Sequence, residues 1–140
     1  NTWNMPHDAA LKVLVQGMLD LKLLEGSVDG VIESESYKQF YMHRTGHWLG
    51  MDVHDVGEYK LGDDWRKLEA GMVFTIEPMI NAGKRDVKNH GNDGWTIITK
   101  DRSLSAQWEH TVLVTPTGYE VLTLSEGYPA LPDFVKATCT

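Results

Sequence analysis

Three histidines fall within a dozen residues, at His43, His47 and His54, and two glutamates interrupt apolar runs further on, at Glu77 and Glu109. Glu77 stands in Phe74-Thr75-Ile76-Glu77-Pro78-Met79, and Glu109 in Gln107-Trp108-Glu109-His110-Thr111-Val112. A carboxylate inside a half-buried strand is unfavourable unless it is paired or binds a cation, so each glutamate calls for a partner. The plain partner is a structural ion pair, with Arg66, Lys84, Arg85 and Arg102 as candidates. The chemical alternative is a metal. One imidazole and two carboxylates on separate segments form a mixed nitrogen and oxygen set that suits Mn, Fe, Co or Zn and differs from a closed thiolate zinc site. Such an open site does hydrolysis, with water activated by the ion and a neighbouring carboxylate accepting its proton.

These residues need elements to hold them. His43 and His47 are four apart, the spacing of one helix face, but Gly46 and Gly50 argue for a strand or extended turn instead. Ahead of them, Ala10, Leu11, Leu14, Val15, Met18, Leu21 and Leu24 recur at steps of three and four, predicting an amphipathic helix over 9–24. Asp8 reads as its N-cap and Gly26 as its C-terminal stop. Beyond Asp55 the pattern becomes short β-branched and aromatic stretches. Strands are expected over 71–79, 94–99, 107–115 and 119–123, the last two joined by a turn at Pro116-Thr117-Gly118. Residues 57–69 and 82–93 are charged and glycine-containing, and read as surface loops.

A chain of 140 residues, 41% hydrophobic and 24% charged, fits one soluble domain with a single core, here residues 1–140. A formal net charge of −7 argues against nucleic acid as a partner. No apolar run reaches the roughly 20 residues that span a bilayer, so no membrane segment is expected. The one cysteine, Cys139, allows no internal disulfide and favours a reducing, cytoplasmic setting. The start, Asn1-Thr2-Trp3-Asn4, has neither an initiator Met nor a signal-like core, and reads as a processed, excised or recombined piece.

Residues 43–57 (HRTGHWLGMDVHDVG), then Leu68-Glu69-Ala70-Gly71-Met72-Val73 and Glu77-Pro78, resemble the aminopeptidase P (Xaa-Pro aminopeptidase) branch of the pita-bread metallopeptidases. Residues 74–83 (FTIEPMINAG), 93–110 (DGWTIITKDRSLSAQWEH) and 118–124 look like bacterial methionine aminopeptidase. The resemblance implies an α+β fold, the C-terminal half of a pita-bread domain, in which one long helix packs on an antiparallel sheet. A chimera of the two branches, joined near 71–79 within the shared Gly-Met-x-x-Thr-x-Glu-Pro core, would leave local structure intact.

By that resemblance His47, Glu77 and Glu109 are metal ligands, Glu77 doubling as acid/base and Glu109 bridging two ions. His54 and His43 are implied as catalytic and substrate-contacting histidines, and Trp95 as a residue near the substrate pocket. Two aspartate ligands that the family takes from an upstream hairpin have no counterpart here, since Asp52 and Asp55 match positions that are not ligands. Val53 stands where the methionine branch has an aromatic residue. The implied activity is removal of an N-terminal residue from Xaa-Pro or Met peptides, using a divalent metal (Mn, Co, Fe or Zn) with a reduced ligand set. The alternative is an inactive half-domain that folds and self-associates. A lone half would expose an apolar sheet face, so a homodimer or a complementary N-terminal half is the expected partner.

Overall fold

A computed structural model describes residues 1–127 of the chain. The helical repeat expected over 9–24 forms α1 (Asn4–Asp20), which begins and ends earlier. At its start Pro6 occupies the third helical position, where a missing N–H has no intrahelical partner to lose. Asp8 therefore lies inside the helix rather than capping it, and accepts a 2.6 Å hydrogen bond from the Asn4 side-chain amide one turn back. At its end the chain turns left-handed at Lys22 (φ 59°), not at Gly26. The Leu23 amide returns to the Met18 carbonyl at 2.9 Å and the Lys22 amide to Leu19 at 3.0 Å. This crossed pair closes the helix and folds Leu23 back onto Met18's cluster.

Two short helical elements that the periodicity did not reveal follow. The helix α2 (Val28–Glu33) is capped by Ser27, whose hydroxyl accepts from the Gly30 amide at 3.1 Å, and a 3-10 turn spans Ser36–Gln39. Leu11, Val15 and Met18 of α1 bury against Val31, Tyr37 and Tyr41, with Leu24 closing the group. A second apolar cluster gathers Trp3, Phe74 and Val112, with Trp48, Ile76 and Val114 packed around it. The single core expected from chain length is thus two clusters, because the helical face and the sheet face each find their own cover.

The strands are short and antiparallel throughout. Both segments expected as loops contain strand: 57–69 holds the pair β1 (Lys60–Leu61) and β2 (Asp64–Trp65), and 82–93 holds β5 (Val87–Asn89), which pairs with β6 (Ile97–Thr99) inside the stretch expected as a strand. Gly62, at φ 64°, supplies the left-handed residue that the two-residue Gly62-Asp63 turn requires. The central sheet has β8 (His110–Thr115) between β3 (Val73–Ile76) and β9 (Gly118–Val121), and Pro116-Thr117 makes the β8–β9 turn as expected. A further pair joins β4 (Met79–Asn81) to β7 (Ser105–Gln107).

These last ladders form one continuous hairpin. Ile76 faces His110, and Met79 faces Gln107, so advancing one residue at a time sets Glu77 opposite Glu109 and Pro78 opposite Trp108. Proline has no amide to donate, which interrupts the regular ladder there, yet the Trp108 amide still bonds to the Pro78 carbonyl at 3.2 Å.

Candidate metal centre

The segment 45–48 lies along the free edge of β3. The Thr75 amide bonds to the His47 carbonyl at 3.0 Å, the Glu77 amide to the Thr45 carbonyl at 2.6 Å, and Trp48 bridges Phe74. This is the extended conformation that Gly46 foretells. A Cβ on that glycine would fall 1.9 Å from the Thr75 carbonyl oxygen, so only glycine lets the two strands come this close. Alternation then separates the faces. Trp48, Phe74 and Ile76 join the apolar cluster, while His47, Thr75 and Glu77 meet on the other side.

On that polar side the His47 Nε2 atom is 2.8 Å from Glu77 Oε1. The other ring nitrogen, Nδ1, donates to the Trp48 carbonyl at 2.8 Å, since a carbonyl can only accept. With Nδ1 carrying the proton, the Nε2 lone pair is directed at the carboxylate, an arrangement that needs a cation between them, either a proton or a metal. Thr75 fixes the pair from behind: its hydroxyl accepts from the His47 amide at 3.1 Å and donates to Glu77 Oε1 at 3.3 Å. Both His47 and Thr75 are buried.

His54 completes the group. Its ring lies 4.1 Å from that of His47, centroid to centroid, and one ligand atom from each of His47, His54 and Glu77 lies within 4.8 Å of the others. The loop that carries His54 is tied to the same backbone atom as His47: the Asp55 amide bonds to the Trp48 carbonyl at 3.0 Å. Asp55 in turn accepts from the Met51 and Val56 amides at 2.9 and 2.8 Å, so its carboxylate is engaged in shaping the loop.

The remaining sequence-expected residues lie around this trio. Glu109 sits across the hairpin from Glu77, but its exposed carboxylate accepts from the Gln107 side chain at 3.4 Å and is not among the clustered ligand atoms. His43 donates from Nδ1 to the Arg44 carbonyl at 2.6 Å, and its Nε2 is buried with no protein partner. Trp95 is 87% exposed, on a turn where Asp93 accepts from the Trp95 and Thr96 amides and the Thr96 hydroxyl. Those three donors hold the Asp93 carboxyl down at about 2. None of the cations considered at first, Arg66, Lys84, Arg85 or Arg102, forms an ion pair with Glu77 or Glu109 among the described residues; Arg66 reaches Glu58 at 3.9 Å.

An imidazole and a carboxylate at 2.8 Å, a second imidazole beside them and a free lone pair on Nε2 are a donor set that fits a borderline divalent ion. The sequence profile of the metallopeptidases called family M24 matches residues 3–116. The chain belongs to metallopeptidase family M24. Within the curated relatives, it is 38% identical over 123 residues to a Xaa-Pro aminopeptidase of Haemophilus influenzae, covering 88% of this chain and 26% of that protein. It is 41% identical over 118 residues to the methionine aminopeptidase of Escherichia coli K12, covering 82% of this chain and 44% of that one. The chain thus spans less than half the length of these M24 relatives. Among solved structures, Pseudomonas aeruginosa aminopeptidase PepP superposes with a TM-score of 0.71 at 46% identity, over 98% of this chain and 29% of that one. The α+β, pita-bread architecture expected from the resemblance is the fold of these M24 neighbours.

Thr75 and the Trp48 carbonyl are site elements that residue types alone did not single out. A readable signal existed for the first. Thr75 precedes Glu77 by two, so in a strand the two must share a face.

Proposed function

We propose that this chain carries the histidine and glutamate portion of a divalent-metal aminopeptidase site that removes the N-terminal residue from Xaa-Pro or Met peptides. The observation that carries the reading is the His47–Glu77 contact at 2.8 Å, with Nδ1 of His47 already committed to a carbonyl. His47 and Glu77 would hold the ion, with Glu109 from across the hairpin as a further ligand; the ion, whether Mn, Co, Fe or Zn, would supply Lewis acidity at the scissile carbonyl. The chain's own groups do the rest. Glu77 takes and returns a proton, His54 and His43 hydrogen-bond the substrate, and Trp95 flanks the pocket. The two further carboxylate ligands implied by the resemblance come from a complementary N-terminal half, and a cytoplasmic setting suits the lone Cys139.

Metal content and turnover test this directly. Bound Mn, Co and Zn are measured in the chain and in Glu109→Gln, and Xaa-Pro and Met-Ala peptides are assayed with and without a supplied N-terminal half. Metal uptake that falls in the variant, with turnover restored by the complementing half, is the expected result. A folded chain that takes up no metal and gains no activity on complementation supports the inactive half-domain instead.

Self-association is the second reading, favoured by the exposed apolar side chains of Trp95, Ile97, Leu104 and Trp108 in the strand-rich region. Light scattering across a wide concentration range checks it, and a strictly monomeric profile contradicts a homodimer. A join of two branches near 71–79 accords with the similar identities to a Xaa-Pro and a methionine aminopeptidase. A natural homologue continuous across that region at much higher identity removes it.

A further inference from the structure

Thr45 is two residues before His47 on the same extended edge segment, and its side chain is buried. Its hydroxyl oxygen lies 2.5 Å from the Tyr41 phenol oxygen and 2.7 Å from Nδ1 of His7. Thr45 is 3% exposed and Tyr41 1% exposed, so neither hydroxyl has water to fall back on. Every proton has a place if Tyr41 donates to Thr45 and Thr45 donates to His7, and burial together with nearby Arg44 lowers the pKa of His7, which favours the neutral ring this requires.

This chain of three links α1 and the helical cluster to the edge segment that carries His47, beside the bond from the Arg44 side chain to Asn4. His7 belongs to α1 and Tyr41 to the helical apolar cluster. Thr45 begins the edge segment that carries His47, and its carbonyl accepts the Glu77 amide at 2.6 Å. One residue is therefore fastened by its side chain to the helical layer and by its backbone to Glu77. Beyond Thr45 the edge segment is held to β3 by the Thr75–His47 backbone bond, the His47 amide on the Thr75 hydroxyl and the Trp48–Phe74 bridge.

We propose that His7, Thr45 and Tyr41 form a positioning clamp that sets the His47–Glu77 separation, with Thr45 as its central residue. The clamp acts on the ligand-bearing strand, not on the ion, and it rests on the metal reading above only for its effect on metal binding. A merely stabilising role would loosen the whole molecule together, whereas a positioning role loosens the edge of β3 alone.

The test uses Thr45→Val, Tyr41→Phe and the conservative Thr45→Ser in the full chain, with amide hydrogen exchange on metal-free protein and calorimetric Zn²⁺ titration. Thr45→Val and Tyr41→Phe are expected to speed exchange of the Glu77 amide about tenfold. The Val114 and Leu122 amides, bonded to Met72 and Thr111, stay at wild-type rates. Zn²⁺ binding weakens about tenfold, the low end of the range for residues that orient ligands. Thr45→Ser restores both within about twofold. The clamp is overturned if Glu77 exchange is unchanged in both variants, if Val114 and Leu122 accelerate in step with Glu77, or if Thr45→Ser fails to rescue. Should wild-type protein bind no Zn²⁺, the metal reading fails by itself, and the exchange contrast alone decides the clamp.

Discussion

The helical region and the strand region bury their side chains for different ends. In the first, Val15 and Met18 are almost wholly enclosed by Val31, Tyr37 and Tyr41, and the polar side-chain atoms of that cluster are the Tyr37 and Tyr41 hydroxyls. In the second, buried positions alternate with polar ones: Phe74 is enclosed on one face of β3 while Thr75 and the half-buried Glu77 occupy the other. The lesson is a division of labour along one chain. The helices supply a rigid backing, and the strands accept unfavourable buried polar groups because those groups bind one another in the His47–Thr75–Glu77 arrangement.

The sharpest way to break this contrast is a reciprocal pair of substitutions. Met18→Ala opens a cavity in the helical cluster and is expected to cost about 2–5 kcal/mol of stability, leaving the metal affinity of the molecules that remain folded unchanged. Glu77→Gln should do the reverse: metal affinity drops by at least about tenfold, with little change in the melting temperature. Urea melts and metal titrations of both variants decide the matter. If Glu77→Gln unfolds the chain as readily as Met18→Ala, the carboxylate is a structural element and the two regions do not divide their roles.

A smaller effect is expected at the seam. Gly46→Ala puts a methyl group against the Thr75 carbonyl and forces the edge segment off β3, at about 1–3 kcal/mol, the usual range for overpacking. Here stability and metal binding should fall together, since the residue lies between Thr45, bonded to His7 and Tyr41, and His47. Loss of stability alone would show that the edge segment can shift without moving His47.

Legibility in the sequence followed the same boundary. The spacing of Leu11, Val15 and Met18 announces α1, because a helix buried on one face repeats its apolar residues regularly. Its ends escaped, since they depend on Pro6 at the start and on Lys22 adopting a left-handed turn that composition assigns to Gly26. The helix α2 was missed because six residues are too few to show a period, although Ser27 followed by Asp29 carries a capping signal. In the strand region, Glu77 and Glu109 stood out by being polar in apolar surroundings. Their pairing across the hairpin rests on register, and register comes from the long-range match of β3–β4 with β7–β8, which no local pattern encodes. Thr45 was passed over for a similar reason: a threonine looks ordinary until the fold brings His7 and Tyr41 to it.

Acid titration should separate the two regions most gently. In α1, burial and then Arg44 lower the His7 pKa from its ordinary 6.5, so the unfolded chain binds the proton more readily than the folded one. The stability that neutral His7 contributes is present above about 6.5 and is lost as pH falls through that value toward the lower folded one. In the strand region, Asp93 and Asp101 are held at about 2 by hydrogen bonds, in Asp93 from Thr96 and the Trp95 amide and in Asp101 from the Lys84 and Ser103 amides. Their contribution persists down to about pH 4 and disappears between there and pH 2, and being fully exposed they contribute weakly. Urea melts should therefore show two successive losses: one setting in below about pH 6.5 that His7→Gln flattens, and a fainter one below pH 4 that Asp93→Asn and Asp101→Asn flatten. A single loss below pH 4, insensitive to His7→Gln, would mean that His7 is as free to protonate in the folded chain as in the unfolded one. The helical layer would then not be closed around the clamp as tightly as the buried Thr45 and Tyr41 require.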